Sequence, residues 1–135
     1  VICLDTNVVI SLINRRDPKV RDRLEDQLAI GTRIALPVIC LFELRFGYAK
    51  SDRRSSSELQ LESLLSRGIT IAPFEAEDAA HAGDIRAALE AKGLPIGAYD
   101  CLIAGQARSR GATLVTANTR EFARVPGLLF VDWAT

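Results

Sequence analysis

Five short apolar runs limit this chain's fold more than anything else in it: residues 1–4, 33–36, 69–72, 113–116 and 128–131. Each is too short for a stable helix and lacks the alternation of a half-solvated strand, so each reads as a buried strand. The stretches between them read as helices over 7–14, 38–50, 57–66 and 98–109. Asp17-Pro18 starts a further helix, with the acid as cap and proline in the first turn, and it runs to Ile30 before Gly31. An alanine-rich helix spans 76–92 and stops at Gly93, and residues 121–123 form a helical turn. The polar stretch 51–57 is a loop or helix junction. Strands that alternate with helices predict an α/β fold, with a mostly parallel sheet covered on both faces. At 135 residues this is one domain, 1–135.

The charge balance excludes a generic basic coat for nucleic acid. Lys and Arg number 17, Asp and Glu number 17, and the formal net charge is zero. Distribution still matters, and the cations are mostly arginine, which favours bidentate contact with phosphate or carboxylate. No apolar stretch is as long as a membrane span, so no membrane partner is expected. Cys3, Cys40 and Cys101 lie in apolar surroundings without metal-ligand spacing. They read as small buried hydrophobes in a reducing cytoplasm. The only histidine, His81, lies in the alanine-rich helix and reads as structural. It lies far from the acid motifs described below, so Ser-His-Asp and Cys-His mechanisms have almost no support. Neither GxxxxGK[ST] nor GxGxxG occurs, which argues against nucleotide-cofactor chemistry.

Most acids belong to solvated helix faces or helix starts: Asp22, Glu25 and Asp26, then Glu58 and Glu62, then Glu75, Glu77 and Asp78. Three do not. Asp5 ends the first strand, Glu43 lies within Ile39-Cys40-Leu41-Phe42-Glu43-Leu44, and Asp100 lies within Ala98-Tyr99-Asp100-Cys101-Leu102. An unpaired charge in apolar surroundings is costly, so each lies at a pocket edge or beside a cation. Clustered carboxylates raise one another's pKa unless a positive charge joins them. A hard divalent ion such as Mg²⁺ meets that need, taking one or two carboxylates with water and phosphate oxygens. Acids, such an ion and scattered arginines together point to hydrolysis of a phosphodiester.

The strings Leu4-Asp5-Thr6-Asn7, Glu43-Leu44-Arg45-Phe46-Gly47 and Pro95-Ile96-Gly97-Ala98-Tyr99-Asp100 resemble the PIN-domain family, as does Leu114-Val115-Thr116-Ala117-Asn118-Thr119-Arg120-Glu121-Phe122. Their order and spacing over the whole chain are similar to the VapC-type toxins of bacterial toxin–antitoxin pairs. The resemblance implies a three-layer α/β/α fold with a five-stranded sheet. It implies an Mg²⁺-dependent endoribonuclease, with Mn²⁺ as substitute, acting on tRNA or ribosomal RNA. It implies a homodimer held inactive by a VapB-type antitoxin, through which alone the pair reaches operator DNA. By the same resemblance Asp5, Glu43 and Asp100 are the family's three acids. Asp5 and Asp100 are expected as metal ligands. Glu43 is expected to bind metal directly or through water, or to orient the attacking water. The fourth acid is Glu121, with Asn118 a neutral neighbour; some relatives carry aspartate where Asn118 stands. Thr6 and Thr116 offer hydroxyls to carboxylates or water, or make ordinary strand-end hydrogen bonds.

Glu43, Gly47 and Lys50 are spaced to share one helix face. Lys50, Arg45 and Arg120 are candidate RNA contacts, with Arg53 and Arg54 after them. Phe42, Phe46 and Tyr48 read as core or dimer contacts rather than stacking platforms. Two other readings stay open from sequence. One is a PIN-like module acting with its partner on operator DNA without catalysis. The other is a phosphatase or DNA nuclease using the same acids.

Overall fold

The computed structural model describes residues 1–135. Five strands form one sheet: β1 (Ile2–Leu4), β2 (Ile34–Pro37), β3 (Thr70–Ala72), β4 (Thr113–Val115) and β5 (Leu129–Val131). Their spatial order is β3-β2-β1-β4-β5. Every neighbouring pair is parallel, so the sheet expected to be mostly parallel is wholly so. Parallel neighbours need crossovers, and helices supply them. They are α1 (Thr6–Asn14), α2 (Pro18–Ala29), α3 (Val38–Lys50), α4 (Arg54–Leu65), α5 (Ala76–Ala91), α6 (Ala98–Ser109) and the single turn α7 (Thr119–Phe122). None is long and apolar enough to cross a membrane.

Local chemistry sets several boundaries. Asp17 caps α2 by accepting from the Lys19 amide, with Pro18 in the first turn. Glu75 and Asp78 make a reciprocal capping box at the start of α5. The helix expected from residue 57 starts earlier, at Arg54, so the junction shrinks to the three residues 51–53. Serines at 55–57 did not mark a start because they sit inside the first turns, where helical geometry tolerates them. The turn expected at 121–123 is shifted to Thr119–Phe122.

A single cluster of 26 buried residues fills the space between sheet and helices. Cys3 and Leu4 from β1, Leu36 from β2 and Leu114 from β4 meet Leu44, Ile85, Leu89, Ile103 and Phe122 from the helices. All three cysteines are free and buried, as expected for small hydrophobes. Between α5 and α6 the backbones approach closely at Gly105. A Cβ built there would stand 2.6 Å from the Cβ and amide nitrogen of Ala82.

Asp78 departs from the solvated role expected for a helix-start acid. It is 2% exposed, and Arg110 Nη2 donates to its Oδ2 at 2.8 Å. The Ser109 hydroxyl also donates to it, as does the Glu75 amide at 2.8 Å. Burial pushes this carboxyl up, but Arg110, Ser109 and Glu75 outweigh burial and hold it below the usual range. His81 has a partner on the neighbouring helix: Arg108 Nε donates to its Nδ1 at 3.0 Å, tying α6 to α5.

Candidate active site

From the central strand β1 the chain builds outward to β2 and β3 on one side, and later to β4 and β5 on the other. The order therefore reverses between β1 and β4. In open parallel sheets this switch point leaves a crevice at the carboxyl ends of the strands, where ligands bind. Asp5 is the residue after β1, and Thr116 the residue after β4.

Asp5 is 6% exposed and serves as N-cap of α1. Its Oδ1 accepts from the Thr6 amide at 2.9 Å, and its Oδ2 from the Thr116 hydroxyl at 2.8 Å. Thr116 is fully buried, and its amide is anchored to Val131 O of the adjoining strand at 3.0 Å. Its Oγ1 also accepts from the Asn118 amide at 3.0 Å. Asn118 Nδ2 donates to Glu121 Oε2 at 3.1 Å. On the other side of Asp5, the Thr6 hydroxyl donates to Glu43 Oε1 at 2.6 Å. One chain of hydrogen bonds thus runs from Glu43 through Thr6, Asp5, Thr116 and Asn118 to Glu121. It joins α3, α1, β4 and α7, elements far apart in sequence.

Asp100 stands at the third position of α6, after the Gly97 cap. It accepts no hydrogen bond within the chain and feels the rest of the group electrostatically. Burial first, then the charges of Asp5, Glu43 and Glu121, push its carboxyl up to about 6. Burial also raises Asp5; the donations from Thr116 and Thr6 pull it back, and Glu43 adds to the rise. Gly97 lies close to this carboxylate: a Cβ there would stand 3.4 Å from Asp100 Oδ2, about an ordinary contact. Nothing in the sequence singled out Gly97 except its place in the Pro95–Asp100 string. Cys40 lies beneath the group, and burial holds its thiol well above the ordinary range, so it is a packing residue.

The five ion pairs of the chain use none of Asp5, Glu43, Asp100 or Glu121. Every fixed donor to these acids is neutral. The donor set is entirely oxygen, which suits a hard divalent ion. No three side chains enclose an ion-sized point on their own. A hard divalent ion here would take one or two of these carboxylates and fill the rest of its shell with other oxygens. Asp5 and Asp100 would hold it, with Glu43 directly or through water.

The expected RNA contacts differ in their surroundings. Arg45 is two residues from Glu43, on another face of α3, and its Nη1 is held by Glu58 Oε2 at 2.9 Å. Arg54 Nε shares the same glutamate at 3.1 Å. Lys50 lies on the Glu43 side, with its Nζ 4.4 Å above the Phe46 ring. A Cβ added at Gly47, between them, would meet only open space. Arg120 is exposed and free of ion pairs. The phenylalanines expected as core or dimer contacts are not in the core: Phe42 is 50% and Phe46 55% exposed. Tyr48 alone packs against it.

Comparison with known proteins agrees with this geometry. A family model of the PIN domain matches residues 2–128. The chain is 41% identical over 131 residues to a tRNA(fMet)-specific endonuclease VapC of Shigella flexneri, covering 97% of this chain and 96% of the relative. It is 40% identical over 130 residues to ribonuclease VapC2 of Rickettsia felis, covering 96% of each. Among solved structures, VapBC2 of Rickettsia felis bound to a DNA fragment from its promoter gives a TM-score of 0.91 at 37% identity, over 98% of both chains. DNA-bound VapBC of Salmonella typhimurium gives 0.89 at 38% identity, over 98% of this chain and 97% of that one. Fold, site and these likenesses agree: the chain belongs to the PIN-domain family, and within it to the VapC group.

Proposed function

We infer that this chain is the toxin of a VapBC-type pair, a divalent-metal-dependent endoribonuclease that hydrolyses phosphodiester bonds in structured RNA. The observation that carries the reading is the group Asp5, Glu43, Asp100 and Glu121 at the switch point, three of them on neutral donors and none paired with a cation. Mg²⁺ is the expected ion, with Mn²⁺ as substitute. Such an ion, when bound, polarises a phosphoryl oxygen and makes a water more acidic. The chain's own residues do the rest. Asp5 is fixed in orientation through both oxygens, so a ligand bound to it has a fixed position. Glu43 has Oε1 held by Thr6 and keeps Oε2 to orient the attacking water and accept its proton. Asn118 restrains Glu121 as the fourth acid.

The name of the Shigella relative favours tRNA over ribosomal RNA as substrate. The chain works as a homodimer, is neutralised by a cognate VapB-type antitoxin, and reaches operator DNA only through it. Structures of toxin–antitoxin complexes among its likenesses support that reading. Three free, buried cysteines suit a reducing cytoplasm. Antitoxin-free protein incubated with labelled tRNA, ribosomal RNA and DNA, in Mg²⁺ or EDTA, tests the function. Cleavage of RNA in Mg²⁺ alone, lost in Asp100→Ala, is the expected result. Absence of any metal-dependent cleavage would favour a module that acts only on operator DNA.

A further inference from the structure

The residues next to the acids on both flanking helices are aromatic and half exposed. Phe42 precedes Glu43 on α3, Phe46 follows one turn later, and Tyr99 precedes Asp100 on α6. They touch across the two helices. The Phe42 and Phe46 rings lie 6.4 Å apart, nearly parallel at 16°, and Phe42 meets Tyr99 edge-on at 5.4 Å. Lys50 Nζ completes the patch, 4.4 Å above the Phe46 ring. Solvated rings are unfavourable surface, and this patch abuts the acids rather than lying at random on the fold.

We propose that Phe42, Phe46 and Tyr99 form a stacking platform for an unpaired nucleotide next to the scissile phosphate, with Lys50 receiving the following phosphate. The proposal deepens the ribonuclease reading and rests on it. A phosphodiester held at Asp5 and Asp100 would have its neighbouring nucleotide close to the residues flanking Glu43 and Asp100. Bases stack on aromatic faces without regard to sequence, and a cation beside the rings matches the backbone charge. The three half-exposed rings offer on the order of 300 Å². That matches one or two bases and falls short of the roughly 800 Å² per partner of a stable interface between proteins.

The test uses antitoxin-free protein and an RNA hairpin that the wild type cleaves in its loop. Abasic sites replace, one at a time, the nucleotides flanking the cut. Phe46→Ala and Tyr99→Ala should each lower kcat/KM roughly tenfold or more, mainly through KM, and Phe46→Trp should restore it. One abasic position should weaken the wild type by a similar factor and leave Phe46→Ala no weaker than it already is. Binding of the same hairpins by Asp100→Asn protein, followed by fluorescence anisotropy, should show the same pattern. Penalties from ring and base that multiply independently would overturn the platform. So would a Phe46→Ala protein that loses its dimer on size-exclusion chromatography with light scattering, which would mark the patch as the interface between copies. Failure of the wild type to cleave any RNA sinks the ribonuclease reading instead, while the anisotropy comparison still decides the platform.

Discussion

Replacing Asp100 by asparagine should make the metal-free protein more stable at neutral pH while abolishing its activity. The Asp100 carboxyl is pushed from an ordinary 3.8 up to about 6 by burial and by Asp5, Glu43 and Glu121. Two pK units correspond to about 3 kcal/mol of cost for holding the charge in the folded state. Asp100 is only partly buried, so solvent screening reduces this to about 1–2 kcal/mol. Asparagine removes that cost and breaks no hydrogen bond, since the carboxylate accepts none within the chain. The sign follows from proton uptake. Between pH 3.8 and 6 the folded state binds more protons here than the unfolded state, so stability falls as pH rises through that window. The gain from Asp100→Asn should therefore be full above pH 6, shrink as pH falls through the window, and vanish below 3.8. Thermal unfolding in EDTA should show a Tm about 4–8 °C higher at pH 7.5 and none of that gain at pH 3.5. Adding Mg²⁺ at tenfold its dissociation constant should recover about 1.4 kcal/mol for the wild type and much less for the variant. Asp100→Asn protein less stable than wild type at pH 7.5 in EDTA, or a gain independent of pH, would refute the picture of mutually repelling acids.

Three other substitutions probe the frame around the site. Thr116→Val removes the donor to Asp5 Oδ2 in a fully buried position; it should raise the Asp5 pKa further, shift the acid limb of the kcat/KM profile to higher pH and cost about 1.5–3 kcal/mol in urea unfolding. An unshifted pH profile would show that Thr116 does not bear on the Asp5 charge. Gly105→Ala puts a methyl 2.6 Å from Ala82 atoms, backbone nitrogen included, so α5 and α6 must separate at a cost of about 1–3 kcal/mol or more; wild-type stability in urea would contradict it. Arg110→Met strips the cation from buried Asp78 and should cost about 3 kcal/mol at pH 7, the low end of the range because the Arg110 side chain is 30% exposed. Because Asp78 is held below the usual range, its contribution is present above pH 3.8 and lost on acidification below it, so the wild type and Arg110→Met should converge as pH falls.

The alternation of apolar runs and helices was enough to place all five strands, because a buried parallel strand needs a continuous apolar run and a helical return. Asp5, Glu43 and Asp100 stood out for the same reason: a charge inside apolar sequence has few places to go. What the sequence concealed depends on partners distant in the chain. Thr116 meets Asp5 across 111 positions, and no local pattern announces that contact. Asp78 looked like any helix-start acid; its burial is decided by Ser109 and Arg110 at the far end of α6. Helix α3 shows why the phenylalanines, expected as core or dimer contacts, lie outside the core. Cys40 and Leu44 form one i,i+4 stripe and Phe42 and Phe46 another, and both are apolar. Periodicity finds two stripes, and only packing against the sheet decides that the cysteine stripe goes inward.

The choice of donors ties these observations to function. Five ion pairs elsewhere show that this chain has arginines to spend on acids, and an arginine beside Asp5 or Asp100 would relieve most of their mutual repulsion. None is there. Asp5, Glu43 and Glu121 are held by two threonine hydroxyls, an asparagine amide and one backbone N–H, and Asp100 by none. These donors fix orientation and add no full charge. An internal cation would stabilise the fold at neutral pH but would occupy the same oxygens that an incoming ion needs, and would repel that ion. Neutral donors leave the group oriented, negative and destabilising, so a divalent ion gains affinity from the repulsion it removes. By the same logic, a lysine or arginine introduced beside Asp100 would raise stability and weaken the ion, which separates this site from a structural acid cluster, where both would improve together.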